Sequence, residues 1–138
     1  MISSLFLIGG LTHNSTHLLL SDGSSTLYWF DPTSLAVVGS LNVRWYRHGR
    51  LQSVPRLNEL EWIDGVIYAN VWMTNKIILI RPSTGLVEKV IDARSLHPNP
   101  SNPEMSLNGI AWDHLKRKLY ITGKLWPKMY EISYVGLD

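Results

Sequence analysis

Five side chains of this sequence have the types and the phasing to do chemistry together: Asn58, Asn108, Asp22, Trp72 and Lys124. Two carboxamides, a carboxylate, an indole and an ammonium can bind a polar substrate, steady a developing negative charge and wall off an aliphatic stem. None sits in a familiar catalytic signature. The five histidines, His13, His17, His48, His97 and His114, show no HExxH-type spacing. Ser53 and Ser106 have no nucleophile elbow around them, and Gly9-Gly10 is too short for a phosphate loop. The absence of cysteine removes thiol chemistry, disulfide scaffolds and cysteine-rich zinc sites. What singles the five out is their place within a repeat.

The repeat is visible on self-comparison. Leu57-Asn58-Glu59-Leu60-Glu61-Trp62 is echoed fifty residues later by Leu107-Asn108-Gly109-Ile110-Ala111-Trp112, and an acidic turn residue follows each, Asp64 or Asp113. Alternating apolar runs come next, 66–72 in one copy and 118–124 in the other, and then 76–80 and 128–132. All four read as strands. A weaker strand at 87–91 follows the Pro82-Ser-Thr-Gly85 turn. A partial earlier copy spans 17–22, 26–30 and 36–43, with Pro32 fifty residues before Pro82. No stretch of ten residues carries helical periodicity.

Four short strands per unit of forty to fifty residues is the spacing of β-propeller blades. The expected architecture is therefore all-β: about three blades of four short antiparallel strands, in a single partial propeller domain covering residues 1–138. The blade-like units are 11–45, 57–96 and 107–134, after an irregular start at 1–10. A sandwich of about ten strands fits the strand count, but not the fifty-residue echo. The segments 47–55 and 97–103, the second with three prolines, read as connections between blades.

In a propeller, equivalent positions of successive blades ring the central channel. Asn58 and Asn108 open the innermost strands, and Asp22, Trp72 and Lys124 close the next strands. Acid, aromatic and amine at equivalent positions fit a shared pocket better than a purely structural repeat. Structural roles compete: Trp72 and Trp126 as packing between blades, the asparagines as ties for backbone turns, and Lys124 as a solvated cation. Trp62 and Trp112 are assigned to the core.

Composition excludes other classes. The chain has 138 residues, 45% hydrophobic and 17% charged, with thirteen basic and eleven acidic residues for a net charge of +2. So even a balance gives nucleic acid or an anionic membrane little to attract. The first ten residues lack the basic region of a signal peptide and the length of a membrane span. The compartment stays open.

Taken together, Leu57-Asn-Glu-Leu-Glu61, Ala69-Asn-Val-Trp72, Leu107-Asn-Gly-Ile-Ala-Trp-Asp113 and Thr122-Gly-Lys-Leu-Trp-Pro-Lys128 closely resemble the glutaminyl cyclases of plants and bacteria, from about Leu11 to Ile132. The resemblance implies a five-bladed propeller, monomeric at full length, that converts the N-terminal glutamine of peptides to pyroglutamate and releases ammonia without a cofactor or metal. It gives Asn58 a hydrogen bond to the substrate amide, Trp72 a wall of the glutamine pocket and Lys124 the cationic donor to the oxyanion. The reaction also needs an unprotonated α-amine and an acid for the departing nitrogen.

The departures are as informative. The proton-shuttling glutamate of that family and further pocket aromatics come from blades preceding the matched region. Gly9 stands where the family has a pocket tryptophan, and Met1–Gly9 reads as foreign sequence. Three blades of five leave strand edges and blade faces open, so the chain alone is expected to fold poorly and to lack turnover. Two rival readings come from other classes. One is a non-catalytic interaction scaffold. The other is a lactonase-like hydrolase holding a metal through Asn58, Asn108, Glu59 and Asp22.

Overall fold

The computed structural model describes residues 9–133. Thirteen strands and one 3₁₀ turn, Arg94–Leu96, make up its regular structure. The first sheet holds β1 (Gly10–His13), β2 (Leu18–Ser21), β3 (Thr26–Phe30) and β4 (Val37–Asn42), in that order and antiparallel. The second holds β7 (Leu57–Ile63), β8 (Val66–Val71), β9 (Lys76–Ile80) and β10 (Val87–Asp92). The third holds β11 (Leu107–Asp113), β12 (Lys118–Gly123) and β13 (Tyr130–Ile132). Each sheet is a meander whose innermost strand comes first in sequence. β1 packs beside β7 and β7 beside β11, so the inner strands are neighbours around one axis, as in propeller blades.

Burial explains the patterning of the middle sheet. Ile67, Ala69, Val71, Ile78 and Ile80 pack with Leu19 and Leu27 of the first sheet and with Leu57 and Leu60. The opposite face gives Tyr68, Ile77 and Leu79 to a second core with Ile110, Trp112, Leu119 and Ile121. A sheet covered on both sides has no solvent face, and so β8 and β9 read as near-continuous apolar runs. Each fully buried aliphatic side chain contributes ~1.5–3 kcal/mol. The outer strands β4 and β10 lie largely in solvent and keep their polar residues.

The structure refines the sequence reading at four points. The segment 47–55 is no mere connection: Arg44–Arg47 (β5) and Arg50–Ser53 (β6) form a hairpin, with Arg47 paired to Arg50. His48 and Gly49, the two loop residues, have φ of 50° and 72°. Positive φ at both central positions is the type I′ geometry that matches strand twist. Asp64 and Gly65 turn β7 into β8 in the same way. The first sheet is also more complete than the partial copy in the sequence, because β1 supplies a fourth strand. The third sheet carries three strands, not four, among the described residues. Trp112 is buried, whereas Trp62 is half-buried, edge-on to Trp29 at 6.0 Å along the seam between blades. The reading of Met1–Gly9 as foreign sequence falls, apart from Gly9, outside the described residues. Among those residues, no helix is long and apolar enough to cross a membrane.

Candidate functional site

Strand direction gathers the candidate residues at one end of the wall. Leu57 pairs with Val71 and Leu107 with Gly123, so the starts of β7 and β11 lie beside the ends of β8 and β12. Asn58 and Asn108 therefore share an end with Trp72 and Lys124. Asp92 pairs with Lys76, so β10 also finishes there and the 93–106 connection begins there. His13, Asp64, Asp113 and His114 belong to the opposite end.

Both inner strands break register at the same place, between Leu57 and Leu60 and between Leu107 and Ile110. The Leu-Asn-x-aliphatic motif is thus a β-bulge, a device that redirects side chains. It brings the two asparagines together: Asn58 Nδ2 donates to Asn108 Oδ1 at 3.0 Å. Among the described residues, none donates to Asn58 Oδ1. Beneath the bulge lies Asn70, fully buried. Its Oδ1 accepts from the Glu59 N–H at 2.7 Å and its Nδ2 donates to the Leu107 carbonyl at 2.7 Å. One carboxamide thereby holds the bulge of one blade to the inner strand of the next.

Trp72 opens the β8–β9 turn, anchored by its N–H to the Arg56 carbonyl at 2.8 Å, with its ring partly exposed. Lys124 opens the β12–β13 turn, and its N–H donates to the Ser106 carbonyl at 2.9 Å. Its ammonium lies 5.9 Å from the centroid of the Trp72 ring, within cation–π range. The structure brings Trp72 and Lys124 together, and Asn58 and Asn108 together, on one rim. Asp22 caps its own turn by accepting the Ser24 N–H at 3.0 Å, and among the described residues it has no hydrogen bond or ion pair to the other four.

Gly9 lies against the Asn58 carboxamide. A Cβ here would lie 2.7 Å from Asn58 Oδ1 and 3.0 Å from Ser21 Oγ. Any side chain at this position must push the Asn58 carboxamide aside.

Glu59 is the residue that sequence reasoning undervalued, treating it only as a potential metal ligand. Its carboxyl is pushed up to about 8, first by burial and then by the neighbouring Glu61 charge, while the N–H groups of Ile110 and Leu60 pull the other way. Oε2 is buried without a partner. Glu61 is also raised by burial, against the opposing pull of the Trp112 N–H, which its Oε1 accepts at 3.0 Å. Thr12 accepts the Trp62 N–H at 3.0 Å one blade earlier. Side chains of each inner strand thus take up main-chain donors of the next. The available signal was slight: an acid between Leu57 and Leu60, in a strand that also carries Asn58 and Glu61. Among the described residues, no group of three or more His, Cys, Asp or Glu side chains is placed to hold a metal ion.

The family model for glutamine cyclotransferase matches residues 9–134. The chain belongs to that family. It is 42% identical over 130 residues to the glutaminyl-peptide cyclotransferase of Arabidopsis thaliana, an alignment covering 90% of this chain and 39% of that protein. The crystal structure of Myxococcus xanthus glutaminyl cyclase superposes with a TM-score of 0.78 at 38% identity, covering 90% of this chain and 53% of that one. The chain therefore spans about two fifths of one relative and about half of the other. The fold shared with this glutaminyl cyclase is the all-β arrangement of antiparallel, propeller-like sheets described above.

Proposed function

We propose that this chain carries part of the glutamine pocket of a glutaminyl-peptide cyclotransferase, acting on peptides with an N-terminal glutamine. In that reaction the α-amine attacks the side-chain amide carbon, and a C–N bond forms to close the five-membered lactam. The carbonyl oxygen takes up negative charge, the bond to the amide nitrogen breaks and ammonia leaves, carrying a proton that originated on the amine. Lys124 is the group that meets the oxyanion, as a preorganised cation. Trp72 covers the aliphatic stem of the glutamine. Asn58, its NH₂ engaged by Asn108, accepts from the substrate amide through Oδ1.

The observation that carries this reading is the placement of the Lys124 ammonium over the Trp72 ring, on the same rim as the Asn58–Asn108 pair. Proton transfer is the incomplete part. Glu59 is turned to the β11 backbone with Oε2 enclosed, so it does not replace a carboxylate facing the substrate. The isolated chain is therefore expected to bind glutamine derivatives but not to turn them over.

Two measurements test this: ammonia release from a Gln-Phe dipeptide, and calorimetric titration with glutaminamide, each on the wild-type chain, Lys124→Ala and Trp72→Ala. Saturable glutaminamide binding that weakens at least tenfold in Trp72→Ala supports the pocket. Turnover that Lys124→Ala abolishes would support it and show that a proton carrier is available after all. Binding unaffected by either substitution, or no binding at all, would sink the reading.

A further inference from the structure

We propose that a polar cleft beside this rim receives the main chain of the peptide residues following the N-terminal glutamine, binding their carbonyl oxygens. The cleft, about 220 Å³, lies between the β8–β9 turn and the 97–106 connection. Each of its walls is tied to the rim through the chain or a main-chain hydrogen bond. Met73 on one wall is peptide-bonded to Trp72, and Ser106 on the other gives its carbonyl to the Lys124 N–H. A glutamine held by Trp72 and Lys124 thus has its scaffold on both sides of this opening.

His97 and Asn102 present donors to the cleft, while the Asn75 carboxamide and the Ser106 hydroxyl can both donate and accept. His97 accepts the Asn99 N–H through Nδ1 at 3.2 Å, which leaves the ring proton on Nε2 as a donor. Asn102 accepts the Glu104 N–H through Oδ1 at 3.0 Å, which leaves its NH₂ group to donate. The Thr74 hydroxyl is already used, donating to the Val71 carbonyl and accepting the Lys76 N–H. Available donors and no formal charge suit neutral acceptors, and the carbonyls of an extended peptide present these at regular intervals.

The cleft is also stiff. Pro98, Pro100 and Pro103 fix φ through the connection, and the His97 ring packs edge-on against Trp126 at 5.3 Å. Trp126 in turn is tied by its indole N–H to the Met105 carbonyl at 2.9 Å. Donors held before the ligand arrives bind at lower entropic cost than donors that must be ordered.

This inference rests on the glutamine reading of the rim, and the experiment separates the two. Calorimetric titrations compare glutaminamide, the amidated tripeptide Gln-Ala-Ala and acetyl-Ala-Ala amide, on the wild-type chain and on the double variant His97→Ala/Asn102→Ala, with near-ultraviolet circular dichroism to check its fold. The tripeptide is expected to bind about tenfold more tightly than glutaminamide. The double variant should reduce that advantage to twofold or less and leave glutaminamide affinity unchanged. Equal affinities for tripeptide and glutaminamide, an advantage that survives the double substitution, or no binding of any ligand would overturn the proposal. Binding of acetyl-Ala-Ala amide that depends on His97 and Asn102, without binding of glutaminamide, would keep the cleft and remove the glutamine pocket.

Discussion

Replacing Glu59 by glutamine should flatten the dependence of stability on pH between about 5 and 9. In the folded chain this carboxyl keeps its proton up to about 8, whereas its ordinary value is 4.5. Across that interval the folded state holds a proton that the unfolded state has released. The stabilisation from the neutral form is therefore complete below about 4.5 and is lost as pH rises through about 8. At ~1.4 kcal/mol per tenfold change in acidity, the displacement from 4.5 to about 8 sets a ceiling of ~5 kcal/mol. Residual structure in the denatured state and local relaxation bring the expected fall to ~2–4 kcal/mol. Glutamine copies the shape of the neutral acid and can still accept the Ile110 N–H. The assay is urea unfolding by tryptophan fluorescence at pH 5, 7 and 9, at sub-micromolar concentration to suppress association through open strand edges. Glu61, raised in the same direction, is present in both proteins but repels an ionised Glu59 only in the wild type, so the difference reports Glu59 together with that repulsion. Glu59→Gln should be the more stable protein at pH 9. Parallel pH profiles for the two would refute the assignment of a buried neutral acid.

Other perturbations follow from the same contacts. Asn70→Ala leaves the Glu59 N–H and the Leu107 carbonyl buried without partners; a loss of ~2–5 kcal/mol is expected in urea unfolding. Gly9→Trp should displace the Asn58 carboxamide from Asn108, seen as a shift of both side-chain NH₂ resonances and at least tenfold weaker glutaminamide binding. Gly49→Ala, at φ 72° in the β5–β6 turn, should cost ~1 kcal/mol and raise amide exchange in that hairpin while leaving the second sheet unchanged. Lys124→Met should leave the unfolding midpoint within about 0.5 kcal/mol of wild type, because the side chain is exposed, yet weaken binding of a γ-carboxamide ligand.

What the sequence discloses here is what repetition discloses. The Leu-Asn-x-aliphatic-x-Trp motif occurs twice at the same spacing, and both copies fold into the same bulge with Asn58 meeting Asn108. Position within the repeat was enough to find one end of the wall, with Trp72 and Lys124 on it. Features with one copy left weaker traces. β1 is four residues long and opens on a glycine, so it has too little apolar alternation to announce its pairing with β2. The β5–β6 hairpin has mostly exposed side chains and a His-Gly turn, so neither alternation nor an Asn-Gly or Asp-Gly pair announces it. Glu59 was legible as a residue but not as a buried one, because its burial depends on β11 closing over it.

The inner strands also explain why the binding rim and the architecture are hard to separate. Asn58 and Glu59 are adjacent in one bulge, and they engage consecutive parts of β11: Asn58 the Asn108 side chain, Glu59 the Ile110 N–H. Asn70 fixes the same bulge from below. Any change in the angle between the second and third sheets must move Asn58 relative to Asn108, and Trp72 relative to Lys124, since each pair is divided between those sheets. Substitutions in the seam, Asn70→Ala above all, should therefore weaken glutaminamide binding even though Asn70 is fully buried. If Asn70→Ala lowers stability but leaves that affinity unchanged, the rim is held by its own turns and not by the packing of blade on blade.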